Sequence, residues 1–131
     1  MGQRIPKDDA KRMCENWTGS KQPGNSKSPG KAIRSAGFED TYETWFSVDE
    51  LEKYLKYVKD KIKDNPGIRI YFGNYGKNIG PANNSCTVFL APTRGASEER
   101  VDAIENVNDY DTDPYNSGTG RIPPAPYDPN A

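Results

Sequence analysis

The sequence contains no histidine, and this limits the chemistry that its side chains can perform. Histidine is the usual general base near neutral pH, a common zinc ligand and the usual partner of a serine or cysteine nucleophile. The two cysteines, Cys14 and Cys86, lie far apart on different predicted elements and have no evident base partner. We therefore expect both cysteines to be reduced core residues, and we predict no catalytic residue and no cofactor.

Carboxylates are the remaining catalytic groups, since a glycosidase requires only two of them. No acidic pair stands inside an apolar run of the sequence, where burial would raise the pKa of a carboxyl group. A small histidine-free hydrolase, either a nuclease or a glycan hydrolase that uses carboxylates with tyrosine and arginine, is therefore the alternative function. A non-enzymatic role is favoured over it.

An acidic stretch near the C-terminus resembles the start of a calcium-binding loop. Asp109, Asp111 and Asp113 alternate as the first ligands of such a loop do. Pro114 replaces the glycine that the loop requires at its sixth position, and Gly120 replaces the glutamate at its twelfth. We predict a solvated acidic turn here, with a weak calcium site as the alternative.

Residues 24–32, GNSKSPGKA, resemble a phosphate-binding loop but depart from it at two points. Five residues separate Gly24 from Gly30 where the motif has four, and Ala32 occupies the position of its serine or threonine. No strand is predicted before the stretch. We therefore interpret it as part of a basic surface loop and predict no nucleotide site.

The stretch RIYFGNYGK, residues 69–77, begins as a buried strand would but places Arg69 and Tyr71 at alternate positions. Alternate residues of a strand share one face, and Thr87 and Phe89 are the equivalent pair on the next predicted strand. Arginine beside aromatic residues is typical of an interaction hot spot. We expect this face to be covered by the C-terminal tail, by a second copy of the chain or by a different protein.

The candidate binding residues belong to this face, to the loop that follows it and to the C-terminal tail. They are Arg69, Tyr71, Tyr75, Lys77, Phe89, Arg94, Tyr115 and Tyr127. The same set could bind single-stranded nucleic acid by stacking, but a net charge of −1 makes this the least favoured partner. Tyr115 and Tyr127, with Ile122, are expected to anchor the tail on the rest of the chain.

Helical periodicity predicts two main helices. The first begins near Pro6 and ends at Thr18-Gly19. One face of it carries Ala10, Met13, Cys14 and Trp17. The second begins at a capping box formed by Ser47 and Glu50. Its apolar stripe consists of Val48, Leu51, Leu55, Val58 and Ile62.

Two alternating stretches predict an antiparallel pair of strands. In the first, Ile68, Ile70 and Phe72 are expected to face the second helix. Residues 86–91 form the second strand, and the Gly- and Asn-rich residues 73–85 connect the two as a projecting flap. Residues 97–107 predict a short third helix.

These elements together indicate an α+β fold, in which two main helices pack on a small antiparallel sheet built from a long-looped hairpin. Residues 1–107 are predicted to be a single domain, loop-rich at 19–44 and basic at 19–34. Residues 108–131 are predicted to be an extended Pro- and Asp-rich tail that packs on this domain.

Five motifs are found along the chain: AxxxxxNW at 10–17, WFSVDEL at 45–51, GIRIYFGNY at 67–75, TVFLAPT at 87–93 and a closing Asn–Gly to Pro-Pro tail. Together they resemble those of a group of small bacterial proteins from the Bacteroidota for which no activity is established. The resemblance implies one compact domain and no particular activity. Members of the group often carry cysteines near the tail, whereas PYNSGTGRIPPAPY has none, so no metal or disulfide role is carried over.

The leading functional hypothesis is a non-enzymatic protein–protein interaction module, such as an adaptor, an inhibitor or immunity-type protein, or a subunit of an assembly. It would use the Arg69 and Tyr71 face, the 73–85 flap or the tail to bind another protein or a second copy of itself. The charged N-terminus has no apolar segment typical of an export signal, and no stretch is long enough to span a membrane. We therefore expect a cytoplasmic protein without a membrane partner.

Overall fold

A computed structural model of the chain describes residues 2–21, 23–77, 80, 83–95, 106–116 and 127–130. The helices of this part of the chain are α1 (Lys7–Thr18), α2 (Pro29–Ser35) and α3 (Val48–Lys61). The strands are β1 (Gly67–Asn74), β2 (Cys86–Arg94) and β3 (Val107–Asn108), which form one antiparallel sheet in the order β1-β2-β3. The predicted α+β class with a small antiparallel sheet is therefore confirmed.

The chain divides into two compact units, and each is built from separate segments. Unit 1 comprises Met1–Thr44, Asn74–Thr87 and Gly120–Ala131, and unit 2 comprises Trp45–Gly73 and Val88–Thr119. Most of the predicted third helix and the Pro-rich part of the tail lie outside the described residues. Val107, at the end of that predicted helix, lies in β3. None of the described helices is long and apolar enough to cross a membrane.

In unit 1, α1 is the helix that the sequence predicts, and α2 is an addition. Gly19 ends α1 in the left-handed conformation, with φ of 74°, and its N–H donates to the carbonyl of Glu15. In α2, the hydroxyl of Ser28 accepts a hydrogen bond from the N–H of Lys31, and Pro29 occupies the first turn. The predicted apolar face of α1 is only half correct, because Met13 is 61% exposed.

A buried carboxylate joins the elements of unit 1. The side chain of Asp40 is 1% exposed and lies 3.3 Å from the guanidinium of Arg34. The indole N–H of Trp17 donates to both of its oxygens, at 3.3 and 3.1 Å. Arg34 also donates to the backbone carbonyl of Thr18, which ties α2 to the end of α1. A Cβ at Gly30 would lie 2.9 Å from Oδ2 of Asp40, so α2 has no room for a side chain there.

We predict that Asp40→Asn lowers the free energy of unfolding by about 1–2 kcal/mol, because the amide keeps one acceptor oxygen where the buried carboxylate uses two to bind Trp17 and Arg34. Urea denaturation, followed by circular dichroism and tryptophan fluorescence, measures this change. The matched control is Asp9→Asn, which removes an exposed ion pair with Arg12 and should cost less than about 0.5 kcal/mol. Equal losses in the two variants would contradict the central role of Asp40.

In unit 2, α3 packs on the sheet through a cluster of four buried side chains: Tyr54, Val58, Ile62 and Leu90. The predicted stripe of α3 is therefore rotated toward Tyr54. Val48 and Leu55, which the prediction placed in the core, are 71% and 39% exposed. The aromatic side chain of Tyr54 packs in the same cluster as Leu90, whereas the predicted stripe consists of aliphatic residues only.

Tyr54 is also the polar link between α3 and the acidic segment of the chain. Its hydroxyl donates to the backbone carbonyl of Asp113 at 2.7 Å, and its ring stacks on that of Tyr115 with centroids 4.8 Å apart. The backbone N–H of Asp113 donates in turn to the hydroxyl of Tyr57. Burial, with smaller contributions from Tyr57 and Asp113, raises the pKa of Tyr54 to about 12.

We predict that the free energy of unfolding falls by roughly 1–2 kcal/mol as the pH rises from 10.0 to about 12, because Tyr54 ionises more readily in the unfolded chain. The unfolded chain releases this proton near pH 10.0, whereas the folded protein holds it to about pH 12, so the contribution is present below pH 10.0 and is lost as the pH rises to about 12. Tyr54→Phe should lack this decrease and should be less stable at pH 8 by about 1–2 kcal/mol, since the Asp113 carbonyl loses its donor.

Urea denaturation at a series of pH values between 8 and 12 tests this prediction. Tyr110→Phe is the control, because it removes the hydroxyl of a tyrosine that is 90% exposed. The assignment to Tyr54 fails if Tyr54→Phe loses as much stability across the alkaline range as the unaltered chain does.

Candidate interaction surface

The polar face of β1 is bonded to residues of the same chain. The guanidinium of Arg69 donates to the side-chain oxygen of Asn108 at 2.8 Å and to the backbone carbonyl of Asn106. The Asn108 amide donates to the hydroxyl of Tyr71 at 2.8 Å. The ring of Tyr71 stacks on that of Phe89, with centroids 5.3 Å apart and planes inclined by 13°. Residues 106–108 therefore provide hydrogen-bond partners for the Arg69 guanidinium and the Tyr71 hydroxyl of this face.

The acidic segment that follows continues along the edge of β2 that pairs with β3. Thr93 pairs with Asn108 in antiparallel register. Leu90 and Tyr115 exchange two backbone hydrogen bonds, at 2.9 and 3.0 Å. The half-buried Tyr115 ring also packs near Phe46, with centroids 6.0 Å apart. The described start of the tail is thus an extension of the sheet in its own plane.

The remaining candidate residues are dispersed. Tyr75 accepts a hydrogen bond from Thr87 at the base of the flap, and Lys77 is exposed. Arg94 lies 3.7 Å from the carboxylate of Asp109, and the backbone N–H of Tyr127 lies 3.4 Å from the sulfur of Cys14. The eight candidates fall in both units, with Tyr75, Lys77 and Tyr127 in unit 1 and Arg69, Tyr71, Phe89, Arg94 and Tyr115 in unit 2.

The acidic stretch is occupied by local contacts. The Asp109 carboxylate accepts a hydrogen bond from the backbone N–H of Asp111 at 2.9 Å, in addition to its pairing with Arg94. Asp113 contributes its backbone to the tyrosine contacts of unit 2. Within the described ranges, no three Cys, Asp or Glu side chains are gathered as a metal site requires.

The opposite face of β1 is open, and this corrects the prediction that its apolar residues form the core. Ile68 packs against the buried cluster, but Ile70 and Phe72, on the same face, are 63% and 84% exposed. β1 lies at one edge of the sheet, whereas the buried Leu90 belongs to the central strand. α3, which packs on the buried cluster of the sheet, therefore covers the first apolar residue of β1 and leaves the next two exposed.

A groove adjoins this open face, between the exposed side of α3 and the start of β1. Its volume is about 410 Å³. Leu55, Val58, Pro66 and Ile68 provide its apolar surface, and Glu52, Lys56 and Lys59 provide its charged rim. Since Ile68 lines the groove and Ile70 and Phe72 follow it at alternate positions, groove and strand form one continuous feature. We call Leu55, Ile68, Ile70 and Phe72 the apolar strip.

Sequence reasoning missed the apolar strip because alternation identifies which residues share a face but not how far a neighbouring helix covers that face. It also missed Asp40, which stands in a polar stretch without periodicity. One available signal was the Ser28-Pro29 pair, which is typical of the beginning of a helix and predicts α2.

Comparisons with known proteins add no relative: no family model, no curated protein and no solved structure matches this chain. The resemblance to small Bacteroidota proteins therefore stays a prediction. The proposed function therefore rests on the contacts and exposed surfaces of the chain itself.

We predict that Arg69→Gln loosens β3 and lowers the free energy of unfolding by about 2 kcal/mol, because charge-assisted hydrogen bonds to Asn106 and Asn108 are lost. Hydrogen exchange should show faster amide exchange at residues 107–109. Arg12→Gln, which removes an exposed ion pair, is the control and should leave these amides unchanged. Unaltered protection of 107–109 in Arg69→Gln would show that this arginine does not hold the strand.

Proposed function

We propose that this chain is a non-enzymatic protein–protein interaction module that binds through the apolar strip. The observation that supports this is the 63% and 84% exposure of Ile70 and Phe72 on an edge strand beside an apolar groove. Roles consistent with such a surface are an adaptor, an inhibitor or immunity-type protein, or a subunit of a bacterial assembly.

The proposed contact lies on the face of β1 opposite to the one that carries Arg69. Arg69 and Tyr71 have hydrogen-bond partners in residues 106–108, so recruiting them for a partner would require these bonds to be exchanged. Ile70 and Phe72 require no such exchange, because their contact with water is unfavourable from the start. Burying both side chains would contribute about 3 kcal/mol, equivalent to roughly a hundredfold in Kd.

The cellular setting that we propose is the bacterial cytoplasm. Both cysteines are free, Cys14 in unit 1 on α1 and Cys86 at the start of β2, which suits a reducing compartment. The alternative of a histidine-free hydrolase stays a prediction from the sequence, and none of the described carboxylate contacts favours it over the binding role.

We predict that Phe72→Glu weakens capture of the partner by at least about tenfold, because a charge replaces the most exposed apolar side chain of the strip. The measurement is a pull-down from native lysate with the full tagged chain, read by quantitative mass spectrometry. Any untagged copy of the chain is counted among the captured proteins.

Val48→Glu is the matched control for this pull-down. Val48 is 71% exposed, lies in the first turn of α3 where an acidic residue is tolerated, and is outside the apolar strip. Circular dichroism verifies that both variants fold. Capture that survives Phe72→Glu at the level of the control would remove the strip from the proposal.

A further inference from the structure

We infer that the occupant of the apolar strip is a second copy of this chain, joined to the first by antiparallel pairing of the two β1 strands. This inference rests on the proposed function and specifies its partner. The pairing would convert two three-stranded sheets into one continuous sheet of six strands. A contact of this type is isologous, so the same surface serves both copies and the assembly closes at two.

The edge of the sheet at β1 favours pairing with another strand. Edge strands normally carry an outward lysine, a proline or a bulge that prevents pairing with another strand. The sequence of β1, GIRIYFGN, has a single charge and no proline. That charge is Arg69, whose guanidinium is bonded to Asn106 and Asn108 of its own chain. Within the described part of the chain, β1 therefore presents eight residues of strand without the usual protection.

The side chains of β1 are complementary to those of a second, antiparallel copy of the strand. When two antiparallel copies of β1 pair with Tyr71 opposite Tyr71, Ile70 of each copy lies opposite Phe72 of the other. Pairs of an aromatic and a β-branched side chain directly across two strands are among the favourable cross-strand contacts. Both pairs then lie on the face that α3 leaves open, where Ile70 and Phe72 are now exposed to water.

The charges around the apolar strip are of mixed sign. α3 carries four acidic residues and four lysines, and the chain has a net charge of −1. The rim of the groove likewise mixes Glu52 with Lys56 and Lys59. A surface of mixed sign does not select a strongly acidic or basic partner, and it does not repel its own copy. Charge therefore favours a second copy over a highly charged peptide or nucleic acid.

The area is sufficient for a reversible dimer. With 63% of Ile70, 84% of Phe72 and 39% of Leu55 exposed, each copy presents on the order of 350 Å² of apolar surface from these side chains. Two copies would bury at most about 700 Å² of apolar area, which corresponds to no more than roughly 1,200 Å² in total at the usual apolar share of an interface. This lies at the lower end of specific interfaces, so we expect dissociation in the micromolar range.

Sedimentation equilibrium of the full chain, from about 1 µM to about 500 µM, tests the inference directly. We expect a monomer–dimer equilibrium whose Kd rises by at least tenfold in Phe72→Glu and is unchanged in Val48→Glu. Phe72→Thr, which retains a high strand propensity, is the second variant if Phe72→Glu fails to fold, and it should weaken the dimer in the same direction.

Hydrogen exchange at low and high protein concentration provides the second readout. Pairing through the edge predicts that amides of β1 exchange more slowly at high concentration, and that this difference disappears in Phe72→Glu. A dimer whose Kd is insensitive to both Phe72 variants would overturn the assignment of the surface.

The failure of the inference is distinguishable from that of the proposed function. A chain that stays monomeric to about 500 µM, but captures a different protein in a Phe72-dependent manner, excludes the second copy and retains the binding role. A monomeric chain without Phe72-dependent capture contradicts both.

Discussion

Tyr54, Val58, Ile62 and Leu90 form the buried cluster of unit 2, and α3 with its C-cap residue supplies three of these four side chains. One helix therefore has to cover one face of a sheet that extends beyond it on the β1 side. The helix packs near Ile68, which is partly buried, but it does not cover Ile70 and Phe72. The open strip on β1 is thus a direct consequence of how little apolar surface α3 offers, and the binding role that we propose rests on this exposed strip.

Polar contacts supplement the small core in both units. In unit 1 the buried Asp40 carboxylate joins Trp17 to Arg34, and in unit 2 Arg69 holds Asn106 and Asn108. Such contacts are directional, and each places one segment at one position, whereas apolar burial tolerates many arrangements. They also determine which face of β1 is available, since Arg69 is engaged by its own chain.

The elements with strong local signals could be predicted from the sequence, and those that depend on tertiary contacts could not. The capping box at Ser47 and the alternation in β1 are local, and both α3 and β1 are found where expected. The short α2 has no apolar periodicity and depends on contacts with Asp40, which follows it in an irregular segment. The sequence places the candidate surface on the Arg69 face of β1, whereas the surface that we propose lies on the opposite face of the same strand. Alternation gives no information about how far a helix covers a face or which segment binds an arginine.

The order of segments along the chain has a consequence for synthesis. Unit 2 begins at Trp45 but also includes Val88–Thr119. It therefore cannot finish folding on the ribosome while this later segment is still in the exit tunnel. The apolar residues of α3 and β1 emerge before the strand segment that contains Leu90, so the nascent chain passes through an interval in which a chaperone would find them exposed.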